Sequence, residues 1–192
     1  MSDPADAGLL VRASRGDHAA FEELVRRHEA AVYRFALAIA RSQADAEDAM
    51  QEAFVAAYQH ASTYRAEASV RTWLLTMARN AVWRQRRRLA CDVVDEALDD
   101  VDEWRIAEAA GWGQISPEQA AISAAERERL HAALNALPTA EREVLVLREL
   151  EELSGEDTAR VLGLSLAAMK SRLHRARLRL AAALRAEGPI TT

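Results

Sequence analysis

Between Leu153 and Leu180 the chain reads L-S-G-E-D-T-A-R-V-L-G-L-S-L-A-A-M-K-S-R-L-H-R-A-R-L-R-L, and no other stretch constrains the fold as tightly. Ser154 is placed to cap a short helix, and Asp157 three residues on makes a weak capping box. Gly163 supplies the positive-φ residue that ends this helix, and Ser165 caps the next one at once. Two helices joined by so short a glycine turn form a helix-turn-helix. The second helix has two sides. Met169, Leu173, Ala176 and Leu180 recur at spacings of four, three and four, a stripe made to be buried. Lys170, Arg172, Arg175, Arg177 and Arg179 lie off that stripe, around Ser171. Burying one side and presenting cations on the other suits the major groove of duplex DNA. A basic helix that faces only solvent has the same pattern, so the rest of the chain must decide.

The surrounding sequence is rich in Ala, Leu, Arg and Glu, with seven Gly and four Pro among 192 residues. That balance predicts an all-α protein of two small helical domains joined by an acidic linker, the helix-turn-helix in the second. The single cysteine, Cys91, excludes an internal disulfide framework and a multi-cysteine zinc site. His18, His28, His60, His131 and His174 form no ligand spacing, and no phosphate-binding glycine loop or nucleophile motif is present. No metal, cofactor or catalytic residue is therefore expected. The start, M-S-D-P-A-D-A-G, lacks the basic and apolar parts of a signal peptide, and no apolar run approaches a membrane span. A cytoplasmic protein without membrane insertion is the expectation.

A net charge of −5 is awkward for a chain that binds DNA, so its distribution matters. From 61 to 90 one acid, Glu67, faces seven arginines: Arg65, Arg71, Arg79, Arg84, Arg86, Arg87 and Arg88. From 91 to 120 nine acids face one base, Arg105. From 169 onward six bases face one acid, Glu187. Two basic segments are thus separated by an acidic one, and local patches decide where a polyanion sits. The acidic stretch can tether, imitate nucleic-acid charge, or mask the arginines beside it.

Taken in order, residues 1–8 are expected to fray. Asp17 caps a long amphipathic helix whose stripe is Phe21, Leu24, Val25, His28, Val32, Phe35 and Ile39, with His28 as a packed boundary histidine. Asp45 begins the next helix. Its buried side is Ala46, Met50, Ala53, Phe54 and Ala57; Asp45, Asp48, Gln51, Glu52, Val55 and Gln59 project oppositely, as a solvated face or a docking face for a basic partner. After a polar loop, Ser62 to Ser69, a third helix turns Val70, Trp73, Leu74, Met77 and Ala81 inward. Thr72, Thr76, Arg79, Asn80, Trp83, Arg86 and Arg87 lie on its other side. An indole beside arginines is the combination used on single-stranded nucleic acid, although Trp83 packed against another helix explains it equally. Ser116-Pro117-Glu118 opens the second domain, where Leu130, Ala133, Leu134 and Leu137 point inward before Pro138. Thr139 caps a helix through Leu150, and the helix-turn-helix follows.

Four segments in this order resemble the group IV, or extracytoplasmic-function, sigma factors of RNA polymerase. They are D-A-E-D-A-M-Q-E-A-F (45–54), R-T-W-L-L-T-M-A-R-N (71–80), A-L-P-T-A-E-R-E-V-L-V-L-R-E-L-E-E-L-S (136–154) and K-S-R-L-H-R-A-R (170–177). The resemblance implies a first domain over 9–90 that binds core RNA polymerase and melts the minus-ten element. A linker over 91–120 and a second domain over 121–186 that reads the minus-35 element as duplex complete the chain. On this reading Asp45, Asp48, Gln51 and Glu52 dock on the polymerase. The loop Tyr64 to Ser69, with Arg65, captures a flipped non-template base, beside Thr76, Arg79, Asn80, Trp83, Arg86 and Arg87 on the adjoining helix. Ala168, Lys170, Ser171, Arg172, Arg175 and Arg179 face the minus-35 duplex. An anti-sigma factor is the usual further partner in the family.

The sequence departs from the family pattern in places. Tyr64-Arg65-Ala66 stands for a common phenylalanine-arginine-glycine loop, with Val70 where Phe is frequent. Ala167-Ala168-Met169 replaces glycine-threonine-valine, and Gly155 and Thr158 replace bulkier residues. A stand-alone helix-turn-helix regulator is the alternative. The basic Trp83 helix and the docking-like face argue against it.

Overall fold

The computed structural model describes residues 4–40, 42–90 and 129–186, and every regular element among them is helical. The first domain contains α1 (Pro4–Ala13), α2 (His18–Ile39), α3 (Gln43–Gln59), a 3-10 turn (Ala61–Thr63) and α4 (Val70–Ala90). The second begins with helical residues 129–135 and continues with α5 (Thr139–Leu145), which runs into a π-helical turn (Val146–Leu150). The helix-turn-helix is α6 (Gly155–Leu162) and α7 (Leu166–Ala186). The acidic stretch with Cys91, and the opening of the second domain at Ser116-Pro117-Glu118, lie outside the described residues.

Short polar side chains at the helix starts take up amide groups that no helical carbonyl can reach. Asp17 accepts from the Ala20 amide at 3.0 Å and from the Arg12 guanidinium at 2.7 Å. The Ala20 amide and then the Arg12 side chain hold the Asp17 carboxyl below its ordinary value. The α3 helix starts two residues before Asp45, because Ser42 accepts from the Asp45 amide at 3.1 Å. Ser154 accepts from the Asp157 amide at 3.0 Å, and Gly163 ends α6 at φ 65°. Ser165 then accepts from the Ala168 amide at 3.2 Å. These caps hold the two helices of the motif at a fixed turn.

Two expectations about helix ends are corrected. Residues 4–8 belong to α1, which is anchored by Asp6: its carboxylate lies 2.8 Å from His28 Nε2 and 3.1 Å from Arg27 Nη1. His28 is buried as expected, with this carboxylate as its partner. Thr139 caps nothing; Pro138 precedes the helix, and the Thr139 hydroxyl accepts from Arg86 Nη1 at 3.0 Å.

The apolar core is continuous across the two domains. Leu24, Phe35, Leu75 and Val82 fill it from the first, Leu147, Val161 and Met169 from the second. Helix α2 packs on α5, and α4 packs on α6. Among the described residues no helix is long and apolar enough to cross a membrane, and no cluster of ligating side chains could hold a metal.

Candidate nucleic-acid and polymerase interfaces

Three surfaces carry the expected site residues. The first is α7. Met169, Leu173 and Ala176 are buried, and Leu180 is half-buried, so the stripe read from the sequence is the packed side. Ala168, Lys170, Ser171, Arg175 and Arg179 are exposed and Arg172 is half-exposed. Two cations of this helix have partners within the domain: Arg177 meets Glu149 at 2.6 Å and Arg179 meets Glu141 at 2.8 Å. Gly155 lies where α6 passes closely over α7. A Cβ there would lie 3.2 Å from Met169 Cε and 3.3 Å from Leu166 Cδ1.

The second surface is α3. Asp48 and Gln51 are exposed beside Val55 and Tyr58, and Asp45 is half-buried near the helix start. Glu52 is drawn toward its own domain by Arg84, at 3.2 Å. Met50, expected inside, is half-buried, and Ala49 fills the fully buried position. The Tyr58 ring stacks with His18 and meets Phe21 edge-on, so an aromatic group borders the acidic face.

The third surface is α4 with the loop before it. The inward line is Val70, Leu74, Leu75, Ala78, Ala81 and Val82, while Trp73 and Met77 are half-buried. Thr72, expected outside, is fully buried; its amide and hydroxyl both bond to Ser69 Oγ, at 3.0 and 2.8 Å. Ser69 therefore caps α4. Tyr64 is half-buried, donates to the Ala68 carbonyl at 2.5 Å, and packs its ring 5.3 Å from that of Trp73. Arg65 is exposed, and Ala66 holds the left-handed φ of 55° that glycine adopts more readily. Thr76 donates back to the Thr72 carbonyl, and Asn80 and Arg87 are exposed.

Arg79, Trp83 and Arg86 are half-buried against the second domain, which is the packed alternative that the sequence left open for Trp83. Arg79 donates to Glu143 through Nε at 3.1 Å and Nη2 at 3.3 Å, and Trp83 Nε1 donates to the same carboxylate at 2.5 Å. The guanidinium groups of Arg79 and Arg86 lie 5.8 and 5.4 Å from the Trp83 ring centre. A second carboxylate, Glu151, accepts from Arg34 at 2.9 and 3.2 Å and from Arg71. Glu143 and Glu151 are both 0% exposed. Between these pairs Arg142 donates to the carbonyls of Ala38, Asn135 and Leu137. Burial, then the neighbouring Arg86 charge, depresses its pKa.

Sequence reasoning missed Glu143, Glu151, Arg34 and Arg142. One signal was available. Val144 to Leu147 are four successive apolar residues inside a helix, which means burial on every side and carries Glu143 inside with them.

Residues 24–90 match the family model of Sigma-70 region 2, and residues 127–180 match that of Sigma-70 region 4. The ECF RNA polymerase sigma factor SigM of Mycobacterium tuberculosis is 34% identical over 177 residues, covering 92% of this chain and 83% of that protein. The chain belongs to the extracytoplasmic-function sigma factors. The sigma factor CnrH of Cupriavidus metallidurans is 32% identical over 188 residues, 96% of this chain and 97% of that protein. The solved structure of CnrH in complex with the cytosolic domain of CnrY superposes with a TM-score of 0.65 at 28% identity. It covers 96% of this chain and 99% of that one. As a sigma factor, this chain is a regulator of transcription that directs RNA polymerase to promoters.

Proposed function

We propose that the two domains divide promoter recognition between them, without catalysis and in the cytoplasm. The first domain, 9–90, docks on core polymerase through the α3 face of Asp45, Asp48, Gln51 and Glu52. It holds the melted minus-ten strand with Tyr64, Arg65 and Ser69 in the loop and with Thr76, Arg79, Asn80, Trp83, Arg86 and Arg87 on α4. The second domain, 121–186, reads duplex minus-35 DNA with Ala168, Lys170, Ser171, Arg172, Arg175 and Arg179, and residues 91–120 join the two. Arginine–phosphate contacts supply most of the affinity, and base contacts discriminate by roughly 1–3 kcal/mol each. Extruding a base costs a few kcal/mol, which the loop around Tyr64 must offset. CnrH is solved with a protein partner, and an anti-sigma protein that holds this chain inactive belongs to the same reading.

The observation that carries the proposal is the division of α7 into a packed stripe and an exposed cationic side. The test combines pull-down of core polymerase with run-off transcription. Arg172→Ala and Arg175→Ala are each expected to weaken transcription from promoters that need a minus-35 element while leaving polymerase capture unchanged. Wild-type transcription by both variants would remove α7 from the DNA.

A further inference from the structure

We propose that Glu143 and Glu151 act as built-in occupants of an anion track on the first domain, so that the free chain is closed. Single-stranded DNA must then displace the second domain to reach α4. This rests on the reading of α4 as the minus-ten surface and adds its regulation.

The track is laid out by helix geometry. Arg71, Arg79, Trp83 and Arg86 follow one another on α4 at intervals of eight, four and three residues, which spreads them over roughly a third of the helix circumference at about 100° per residue. Fifteen residues at 1.5 Å each make a row of about 22 Å, long enough to meet several successive phosphates of one strand. Arg34 extends the row from α2, since it shares the Glu151 carboxylate with Arg71. Each carboxylate is held as a phosphate oxygen pair would be. Arg79 offers Glu143 two N–H groups, Arg34 offers Glu151 two, and both acids are wholly removed from water. Planar guanidinium forks bind carboxylate and phosphate through the same paired geometry. Trp83 is a flat group suited to stack on an unpaired base, yet its N–H is bonded to Glu143 and two guanidinium groups cover its ring.

The charged part of the seam adds little net stability, so closure is held mainly by the apolar contacts that the two domains share. Taking charges out of water costs much of what their mutual attraction returns, so buried ion pairs fix an arrangement more than they strengthen it. On opening, both acids and all the arginines regain water, and a DNA strand then supplies the arginines with new anions. Closure and strand binding use the same donors, so they exclude each other. The acids on these arginines come from the second domain; the acidic linker is not required for masking.

The test uses the full chain in solution, with small-angle scattering for compactness and anisotropy of a labelled single-stranded oligothymidylate for binding. Glu143→Gln/Glu151→Gln keeps the side-chain volumes and removes both charges. It is expected to expand the chain and to tighten oligonucleotide binding by about tenfold or more, the gain expected if the open form is a tenth or less of the wild type. Equal affinity of variant and wild type would overturn the proposal. Should the variant misfold, wild type alone still decides: saturating oligonucleotide must expand the chain, and binding without expansion would overturn closure. Arg79→Ala in holoenzyme separates the two ideas. If it abolishes promoter melting while the oligonucleotide leaves the free chain compact, the minus-ten reading stands and the closure falls. If it melts promoters normally, the minus-ten reading itself falls.

Discussion

Along α4 and its neighbour α2, the guanidinium groups of Arg34, Arg71 and Arg79 end on carboxylates of the other domain, whereas along α7 Lys170 and Arg175 end in solvent. Both surfaces are rich in arginine, and in local sequence only the indole of Trp83 sets α4 apart. What separates them is the partner. The α7 surface is complete within its own domain, because Met169, Leu173 and Ala176 anchor it whatever the first domain does. The α4 surface changes with the relation between domains. A helix read by duplex DNA can stay exposed, while a row suited to an unpaired strand is answered internally until the chain opens.

The largest expected effect breaks the answered surface. Glu151→Ala leaves Arg34 and Arg71 facing one another at the seam, and losing one partner of a buried charge group costs about 3–5 kcal/mol. The lower end applies, because Arg71 reaches water. Calorimetry should then show the domains melting apart instead of together. One undisturbed transition would mean that the seam contributes nothing to folding.

A smaller effect distinguishes cations within α7. Arg175 is exposed and Arg179 is paired with Glu141. Arg175→Ala should cost holoenzyme roughly 1–3 kcal/mol on a minus-35 promoter, and Arg179→Ala less than half of that. Footprinting across a titration measures both. Equal losses would show that the Glu141 pair yields freely to DNA.

The same contrast applies to acids. Asp48 stands exposed while Glu52 is held by Arg84. Asp48→Lys is expected to weaken capture of core polymerase about tenfold at low salt, fading as salt screens the charge. Glu52→Lys should do less at the polymerase and more to the α3–α4 contact. Circular dichroism must stay helical in Asp48→Lys for the loss to count as docking.

The smallest effect concerns the loop. Ala66 sits at φ 55°, where an L residue costs roughly 1–2 kcal/mol. Glycine also gives back some unfolded-state entropy, so Ala66→Gly should stabilise the first domain by about 1 kcal/mol or less. Urea titration reads the change. No gain would mean that the Tyr64–Ala68 hydrogen bond sets the loop by itself.

Much of this was legible in the sequence where the determinants are local. Ser154, Gly163 and Ser165 marked the turn, and the spacing of Met169, Leu173 and Ala176 named the packed side of α7. The orientation of α4 was less legible. Thr72 is polar but buried, because Ser69 satisfies it, and periodicity cannot see a cap that turns a hydroxyl inward. For Trp83 local pattern left packing and exposure equally open, and it could not name the partner that Arg79 and Trp83 share. Their partner lies 64 and 60 positions away, in an E-R-E-V-L-V-L-R-E-L-E-E run where the apolar residues Val144 to Leu147 hint at burial but not at what covers it. Likewise Asp6 looked like part of a frayed end until His28, 22 positions on, was found beside it.

The π-helical turn at Val146–Leu150 has a bearing on which changes in chain length this protein can tolerate. The Glu151 amide bonds to the Val146 carbonyl five residues back, at 2.9 Å, and α6 departs from there. In an unbroken α-helix Glu143 and Glu151 would lie roughly 80° apart around the axis, whereas here both reach the first domain. Deleting one residue from the turn would convert it to ordinary helix and rotate everything after it by about 100°. Substitutions along this segment alter individual contacts and can be repaired one at a time. A deletion would re-aim Glu151, α6 and α7 together, so this turn tolerates a change of side chain better than a change of length.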